Sequence, residues 1–378
     1  MPVRALARVN LAAIERNVTR LRSSLTGGAE LCAVVKADGY GHGAVQVARA
    51  ALSAGASWTA VATAQEAAEV RAAGLEGRLL VMGALSVEEL PVALRAGADL
   101  VAWTEDFVES VRRALPERGG GPPVGLHVKL DTGMGRLGAR ELESALAVVE
   151  RVAEAGTAIV LRGVMTHFAS ADDDPEYVAE QLSRFRPFVD SVRARFPDIV
   201  VHAANSAGLL NAPDSHFGLV RCGIAIYGCD PMGADPAAVG LEPALELTSY
   251  VASLRELGRG DSVGYGRRFR AGGKVRAATV PIGYADGFVR ALGNNCDLLI
   301  GGRRYPVVGA VSMDNLTVAA GLDSGMQVGD RVTVIGVDGG ERQIAEDLAR
   351  RIGTISYEVL CGISSRVPRS YHRDGVPA

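Results

Sequence analysis

The stretch Leu31-Cys-Ala-Val-Val-Lys36-Ala-Asp-Gly-Tyr40-Gly-His-Gly43 joins an apolar, strand-like run to a glycine-punctuated loop through a single lysine. A lysine at the carboxyl end of a buried strand keeps its stem in the core and its amine at the mouth of a pocket. Burial there disfavours the ammonium and lowers its pKa, which is the condition a Schiff-base lysine needs. Composition strengthens the point. Lysine and arginine together number 40, yet only Lys36, Lys129 and Lys274 are lysines. Arginine stays protonated and forms no Schiff base, so lysines kept among so many arginines are candidates for work arginine cannot do. Lys274, in Ala-Gly-Gly-Lys-Val, reads instead as a surface residue.

Outward from this stretch the pattern is rhythmic. Asn10 can cap a helix with apolar positions at 11, 14, 18 and 21. Strand-like runs then recur at 31–36, 58–63, 78–83, 99–104, 125–131, 159–168, 200–205 and 219–226. Alanine- and glutamate-rich helical stretches, such as 64–73 and 140–155, lie between them. Parallel strands need crossovers. Eight βα units over roughly 220 residues predict a (β/α)8 TIM barrel rather than an open sheet. After about residue 240 the texture changes to strand-like pieces between glycine turns, at 245–254, 275–280 and 331–335, with one helix at 343–352. The expected organisation is α/β: a barrel over 8–240, then a mostly β domain over 241–378 to which the short strand in 1–7 returns.

Charge and cysteine usage exclude several classes. A net charge of −3 with mixed signs gives no reason to expect nucleic acid or a membrane surface as partner. No apolar run is long enough to span a bilayer, and no basic region followed by an apolar core opens the chain. Cys32, Cys222, Cys229, Cys296 and Cys361 are scattered, odd in number and without a CxxC pair, which fits a reduced, cytoplasmic protein. The six histidines show no HExxH or clustered ligand spacing, so no metal is expected.

In a TIM barrel the reactive groups collect at the carboxyl ends of the strands, and phosphate is often held after strands 7 and 8. Those two ends carry Asn205-Ser206-Ala-Gly208 and Arg221-Cys-Gly223-Ile224, whose small residues let backbone N–H groups approach a phosphate. Either loop alone is an ordinary glycine turn. Together with a lysine at the end of strand 1 they suggest a phosphorylated cofactor that carries an aldehyde, and pyridoxal 5′-phosphate fits.

The pieces Val-Val-Lys36-Ala-Asp-Gly-Tyr-Gly-His-Gly, Lys129-Leu-Asp-Thr-Gly-Met-Gly-Arg136-Leu-Gly, His167-Phe-Ala, Asn-Ser206, Arg221-Cys-Gly-Ile-Ala-Ile-Tyr-Gly, Val-Gly-Tyr265-Gly and Val-Ser-Met313-Asp resemble the alanine racemase family. The matches run in order from the first strand almost to the C-terminus. The resemblance implies an N-terminal barrel, a C-terminal β domain, pyridoxal phosphate and a head-to-tail homodimer that lends residues across to the partner's site. It assigns Lys36 to the cofactor's aldehyde carbon and Tyr40, Ser206, Gly223, Ile224 and Tyr357 to its phosphate, with Asn205 and His167 as further cofactor-binding candidates. Arg221 goes to the pyridine nitrogen, and Arg136 to the phenolic oxygen and the substrate carboxylate. Lys129 resembles a carbamylated lysine that steadies Arg136. Tyr265 and Met313 would come from the other subunit, and Met313 and Tyr284 would shape the substrate pocket and its entrance. The implied activity is the interconversion of L- and D-alanine, supplying D-alanine for peptidoglycan.

Racemisation requires a proton taken from one face of Cα and one delivered to the other, so two groups must flank the carbon. Lys36 can serve one face. Tyr265, between Gly264 and Gly266, is the candidate for the other. A free tyrosine titrates near ~10, too high for a base at neutral pH, so something must favour its phenolate. His167, linked to Arg221, resembles the family's network for this. Arg221 keeps its proton, so a ring nitrogen facing it stays unprotonated. His42, His202 and Trp103 read as structural. The rival readings are a broad-specificity racemase or a decarboxylase on a related barrel, and a barrel that carries pyridoxal phosphate without turnover. Tyr265→Phe separates the last from a racemase.

Overall fold

The structure, a computed structural model, describes residues 3–115 and 121–378; the first two residues of the 1–7 segment lie outside these. The chain begins with strand β1 (Leu6–Asn10) and helix α1 (Leu11–Ser23). Asn10 caps that helix, its side-chain oxygen accepting from the Ala12 N–H.

All eight strand-like runs form strands: β2 (Glu30–Val34), β3 (Trp58–Val61), β4 (Arg78–Val81), β5 (Asp99–Ala102), β6 (Val124–Lys129), β7 (Ile159–Met165), β8 (Val200–His202) and β9 (Leu219–Cys222). Helices α2 (Ala44–Ser53), α3 (Ala64–Ala72), α4 (Leu90–Arg95), α5 (Glu105–Ala114), α6 (Leu142–Glu154), α7 (Pro175–Arg193) and α8 (Ser206–Asn211) make the crossovers. Pairing is parallel throughout, in the order β8-β7-β6-β5-β4-β3-β2-β9. The seam between β8 and β9 is closed by two backbone bonds of 3.0 Å, Gly218 N–H to Val201 and Arg221 N–H to Ala204. The strands are buried on both faces, which is why they read as apolar runs rather than as alternation.

The C-terminal part is mostly β: β10 (Leu245–Tyr250), β11 (Ser253–Leu257), β12 (Ser262–Val263), β13 (Phe269–Arg270), β14 (Val275–Val280), β15 (Asp297–Ile300), β16 (Arg303–Pro306), β17 (Leu316–Ala320), β18 (Arg331–Asp338), β19 (Glu341–Gln343), β20 (Arg369–Arg373) and β21 (Val376–Pro377). One sheet runs β16-β15-β18-β10-β1-β20-β21, so β1 lies between β10 and β20. A second runs β11-β14-β17. The expected single strand over 245–254 is therefore two strands in different sheets. The chain changes sheet at Val251 and Ala252, whose N–H groups bond to Asp330 in one sheet's loop and to Thr279 in the other sheet. The helix expected from 343 begins at Ala345 (α9, Ala345–Ile352), because Gln343 pairs with Gly336 in β19. Helix α10 (Ser356–Cys361) follows and returns to the barrel mouth. Among the described residues no helix is long and apolar enough to cross a membrane.

Candidate active site at the carboxyl ends of the barrel strands

Immediately after Lys36 the backbone takes a conformation that L-residues rarely adopt. Ala37, Asp38, Gly39 and Tyr40 have φ of 53°, 50°, 61° and 51°, one turn of left-handed chain. Left-handed backbone costs a non-glycine residue roughly 1–2 kcal/mol, so the surroundings must hold it. Glu66, in the first turn of α3, accepts from the Ala37 N–H at 2.6 Å and from the Ala62 and Thr63 N–H groups at 2.8 and 3.1 Å. Asp38 Oδ1 accepts from the Ala44 N–H at 2.9 Å. Gly41 and Gly43 have no alternative: a Cβ on the first would lie 2.4 Å from the Leu360 carbonyl oxygen, and one on the second 2.0 Å from Tyr371 Oη. The turn thus presents a half-buried Lys36 whose amine has no protein partner among the described residues. Burial holds that amine below the usual lysine range, the Arg136 guanidinium adds repulsion, and Glu66 pulls the other way.

Three more cations converge on it. Arg221, buried on β9, donates from Nη1 to His202 Nδ1 at 2.9 Å. From Nη2 it reaches the carbonyls of Thr166 and Ala203 at 3.0 and 2.9 Å and His167 Nδ1 at 3.1 Å. Burial lowers its pKa to about 10, which leaves it charged at neutral pH. Lys129 ends β6, is buried, and has no partner among the described residues; burial, then Arg221 and Arg136, bring it down to about 8. Arg136 stands exposed on the loop that Asp131 folds by accepting from the Gly133 and Gly135 N–H groups. Lys36, Lys129, Arg136 and Arg221 have no ion-pair partner among the described residues, so the site calls for anions. The same charges, after burial itself, keep His167 well below the ordinary histidine range and therefore neutral.

An anion cradle lies beside the lysine. Ser206 Oγ accepts from the Gly223 and Ala225 N–H groups at 3.0 and 3.4 Å. Ile224 opens a short 3-10 turn, so its N–H is one of the donors that a helix start leaves over. Gly223 admits the Tyr40 hydroxyl, which would be 2.3 Å from a Cβ there. The Tyr40 ring packs on Tyr227 and Tyr357 at centroid distances of 4.8 and 5.9 Å. Neither the Tyr40 nor the Tyr357 hydroxyl has a protein partner among the described residues, and burial pushes both phenols up, so they stay protonated donors. Asn205 caps α8 through the Gly208 N–H at 2.9 Å. With His167 and Tyr357 it lines a cleft of about 580 Å³. Cys222, between Arg221 and Gly223, is fully buried, and its thiol is pushed far up.

Tyr265, Met313 and Tyr284 lie elsewhere. They are 74%, 52% and 42% exposed and gather along the 310–313 segment, with the Tyr284 N–H bonded to the Ser312 carbonyl and Gly264 packed against Ala310. Among the described residues no hydrogen bond or ring contact joins them to the Lys36 cluster within one chain.

Sequence reasoning missed three contributors. Glu66 is legible as the partner in a Thr63-x-x-Glu66 capping box, but its reach to Ala37 is not. His127 shares a strand face with Lys129, two residues on, a signal that was present. His202, read as structural, contacts Arg221 directly.

Residues 9–231 match the family described as alanine racemase, N-terminal domain, and residues 244–371 match alanine racemase, C-terminal domain. An alanine racemase of Halalkalibacterium halodurans is 39% identical over 373 residues, covering 97% of this chain and 95% of the relative. The alanine racemase structure from the D-cycloserine producer Streptomyces lavendulae superposes with a TM-score of 0.92 at 35% identity, covering 98% of each chain. That from Bacillus anthracis, solved with bound L-Ala-P, gives 0.90 at 35% identity over 99% of this chain and 96% of the other. The chain belongs to the alanine racemase family.

Proposed function

We propose that this alanine racemase holds pyridoxal 5′-phosphate on Lys36 and flanks the substrate Cα with two bases, Lys36 and the partner subunit's Tyr265. The observation that carries the reading is the convergence of Lys36, Lys129, Arg136 and Arg221 without an ion-pair partner among the described residues, next to a cradle of N–H and hydroxyl donors. A phosphate dianion and an amino-acid carboxylate are what such a set accepts. The cradle fits a phosphate because donors gather there: the Ser206 hydroxyl, whose oxygen accepts from Gly223, the Ile224 N–H at the start of its 3-10 turn, and the Tyr40 hydroxyl, packed where a side chain on Gly223 would stand. Asn205 supports the cradle by capping α8. The cofactor, when bound, withdraws electrons from Cα and so makes its proton acidic.

The chain's own groups do the rest. Lys36, with its amine already lowered by burial, accepts a proton at Nζ on one face of Cα. The partner subunit's Tyr265 serves the opposite face from its phenolic oxygen. His167 is neutral, and its Nδ1 is committed to Arg221, so its proton resides on Nε2, available to a phenolate. Arg221 offers only donors, which favours an unprotonated ring nitrogen opposite it. Arg136 takes the substrate carboxylate. Lys129, with its pKa near 8, has a neutral fraction that can add CO2, releasing a proton and replacing a cation by a carbamate that pairs with Arg136.

In this arrangement the barrel over 8–240 holds the cofactor. The part over 241–378, with 1–7, supplies the exposed Tyr265, Tyr284 and Met313 to the partner in a head-to-tail dimer. The cytoplasm is the compartment we assign, and D-alanine for peptidoglycan the use.

Incubation with L-alanine in deuterated water, followed by chiral separation and mass analysis, tests the reaction. D-alanine with deuterium at Cα, approaching an equal mixture, is the expected result. Deuterium in L-alanine without D-alanine would remove Tyr265 from its role.

A further inference from the structure

Two buried histidines take no part in the chemistry above, and both lie on a line running from Arg221 down the inside of the barrel. Among the described residues the only acceptor of Arg221 Nη1 is His202 Nδ1, at 2.9 Å, and His202 Nε2 meets His127 Nδ1 at 2.8 Å. His127 Nε2 has no hydrogen bond of its own and faces Asp99 Oδ2 at 3.5 Å. Asp99 opens β5 at the amino end of the barrel, where its carboxylate accepts from the Gly125 N–H at 3.1 Å and pairs with Arg162 Nε at 3.6 Å.

The direction of every bond in this line follows from Arg221. A guanidinium only donates, so His202 Nδ1 accepts. A neutral His202 then carries its proton on Nε2 and gives it to His127 Nδ1. A neutral His127 carries its own proton on Nε2, towards Asp99. Both rings are fully buried, and burial, reinforced at His202 by Arg221, keeps them below the ordinary histidine range. Asp99 is the one member able to receive the last N–H.

Two glycines make room for the line. A Cβ on Gly125 would lie 2.3 Å from Asp99 Oδ1, and one on Gly163 2.3 Å from His127 Nδ1. Neither glycine has a left-handed φ, so neither serves a turn. Glycine inside a strand weakens it, and here it does so where the Asp99–His127 pair passes. Trp58 closes the other side, its ring edge-on to His127 at 5.5 Å.

We propose that Asp99 and His127 are positioning residues that orient the Arg221 guanidinium from the opposite end of the barrel, acting through His202. The proposal rests on the role given to Arg221 above. Asp99 and His127 touch neither substrate nor cofactor; they fix which atom of His202 meets Arg221.

Histidine-selective 15N labelling and NMR of the apo-protein read the tautomers directly. His127 and His202 are expected neutral and protonated on Nε2; a His127 that is cationic or protonated on Nδ1 overturns the proposal, whether or not any variant folds. Asp99→Asn is the discriminating substitution. Its single oxygen goes to the Gly125 N–H, which turns its amide donor towards His127 and drives that ring to the Nδ1–H form, against His202. In the holoenzyme kcat is then expected to fall about tenfold, with KM for alanine little changed and the cofactor absorbance shifted. Gly163→Ala, which crowds His127 without altering a charge, is expected to act in the same direction. An Asp99→Asn protein that loses thermal stability alone, with wild-type kcat and absorbance, overturns the proposal. If the wild-type enzyme bound pyridoxal phosphate without racemising alanine, the role of Arg221 would fail, while the expected tautomers and their change in Asp99→Asn would still support the column.

Discussion

Lys36 and Tyr265, the two bases of the proposed reaction, sit in regions built in opposite ways. The Lys36 turn is strained, half-buried and held by Glu66, Asp38 and two glycines with no space for a side chain. The Tyr265 hairpin tip is three-quarters exposed and, among the described residues, bonded to nothing in the barrel of its own chain. A barrel mouth can be over-determined by its own sequence. A surface tyrosine gains a defined place only when another surface covers it. Under the proposed function, one chain encloses half of a site and displays the other half.

The largest expected effects test that division. Lys36→Ala should lower kcat/KM by about 10⁴-fold, the upper end of what a positioned base supplies, because it removes both a base and the cofactor's anchor. Tyr265→Phe should lower it by ~10²–10⁴-fold with cofactor absorbance retained, while one enantiomer still exchanges its Cα proton for deuterium without inversion. Mixing the two inactive variants is the sharper measurement. If each site combines Lys36 of one chain with Tyr265 of the other, half of randomly formed dimers contain one intact site, and about a quarter of wild-type activity returns. No return at all would place Tyr265 in the site of its own chain and end the division.

A smaller effect probes how the first region is held. Glu66→Gln keeps one acceptor oxygen but turns an amide donor on the Ala37 or the Ala62 and Thr63 N–H groups. The cofactor's Kd is expected to rise about tenfold, equivalent to ~1.4 kcal/mol, with kcat falling less. An unchanged Kd would mean that the left-handed turn is held by Asp38 and the glycines alone.

How far the sequence revealed these regions follows from the range of the interactions. The barrel was legible because each strand is a short apolar run and each crossover a helical one, both local signals. Lys36 was legible because it ends such a run in a chain with only three lysines. The break at Val251 and Ala252 was not, because an apolar stretch reads alike whether it stays in one sheet or passes between two. Glu66, His127 and His202 act through partners 29, 75 and 19 residues away, separations that no local pattern encodes. Tyr265 is proposed on its motif, since among the described residues nothing within one chain ties it to Lys36.

His42 supplies the smallest effect, and it separates stability from chemistry. Its Nδ1 donates to the Tyr40 carbonyl at 2.9 Å, which pins the last residue of the left-handed turn, while Nε2 is buried without a partner. A proton added at Nε2 therefore finds no acceptor, and burial lowers the pKa of the ring to about 4. An unfolded histidine titrates near ~6.5, so between these values the unfolded chain binds more protons and stability rises with pH. The slope fades above about pH 6.5 and is gone by about pH 8, and at pH 6 the loss is about 0.8 kcal/mol. His127, His167 and His202, all lowered by burial, slope the same way and stay in place in the test. His42→Asn keeps a donor near the Nδ1 position and cannot titrate, so urea unfolding at pH 6 and 8 should differ less for it than for wild type, with activity at pH 8 little changed. An equal pH dependence in the two proteins would show that the turn holds Tyr40 without help from a neutral His42.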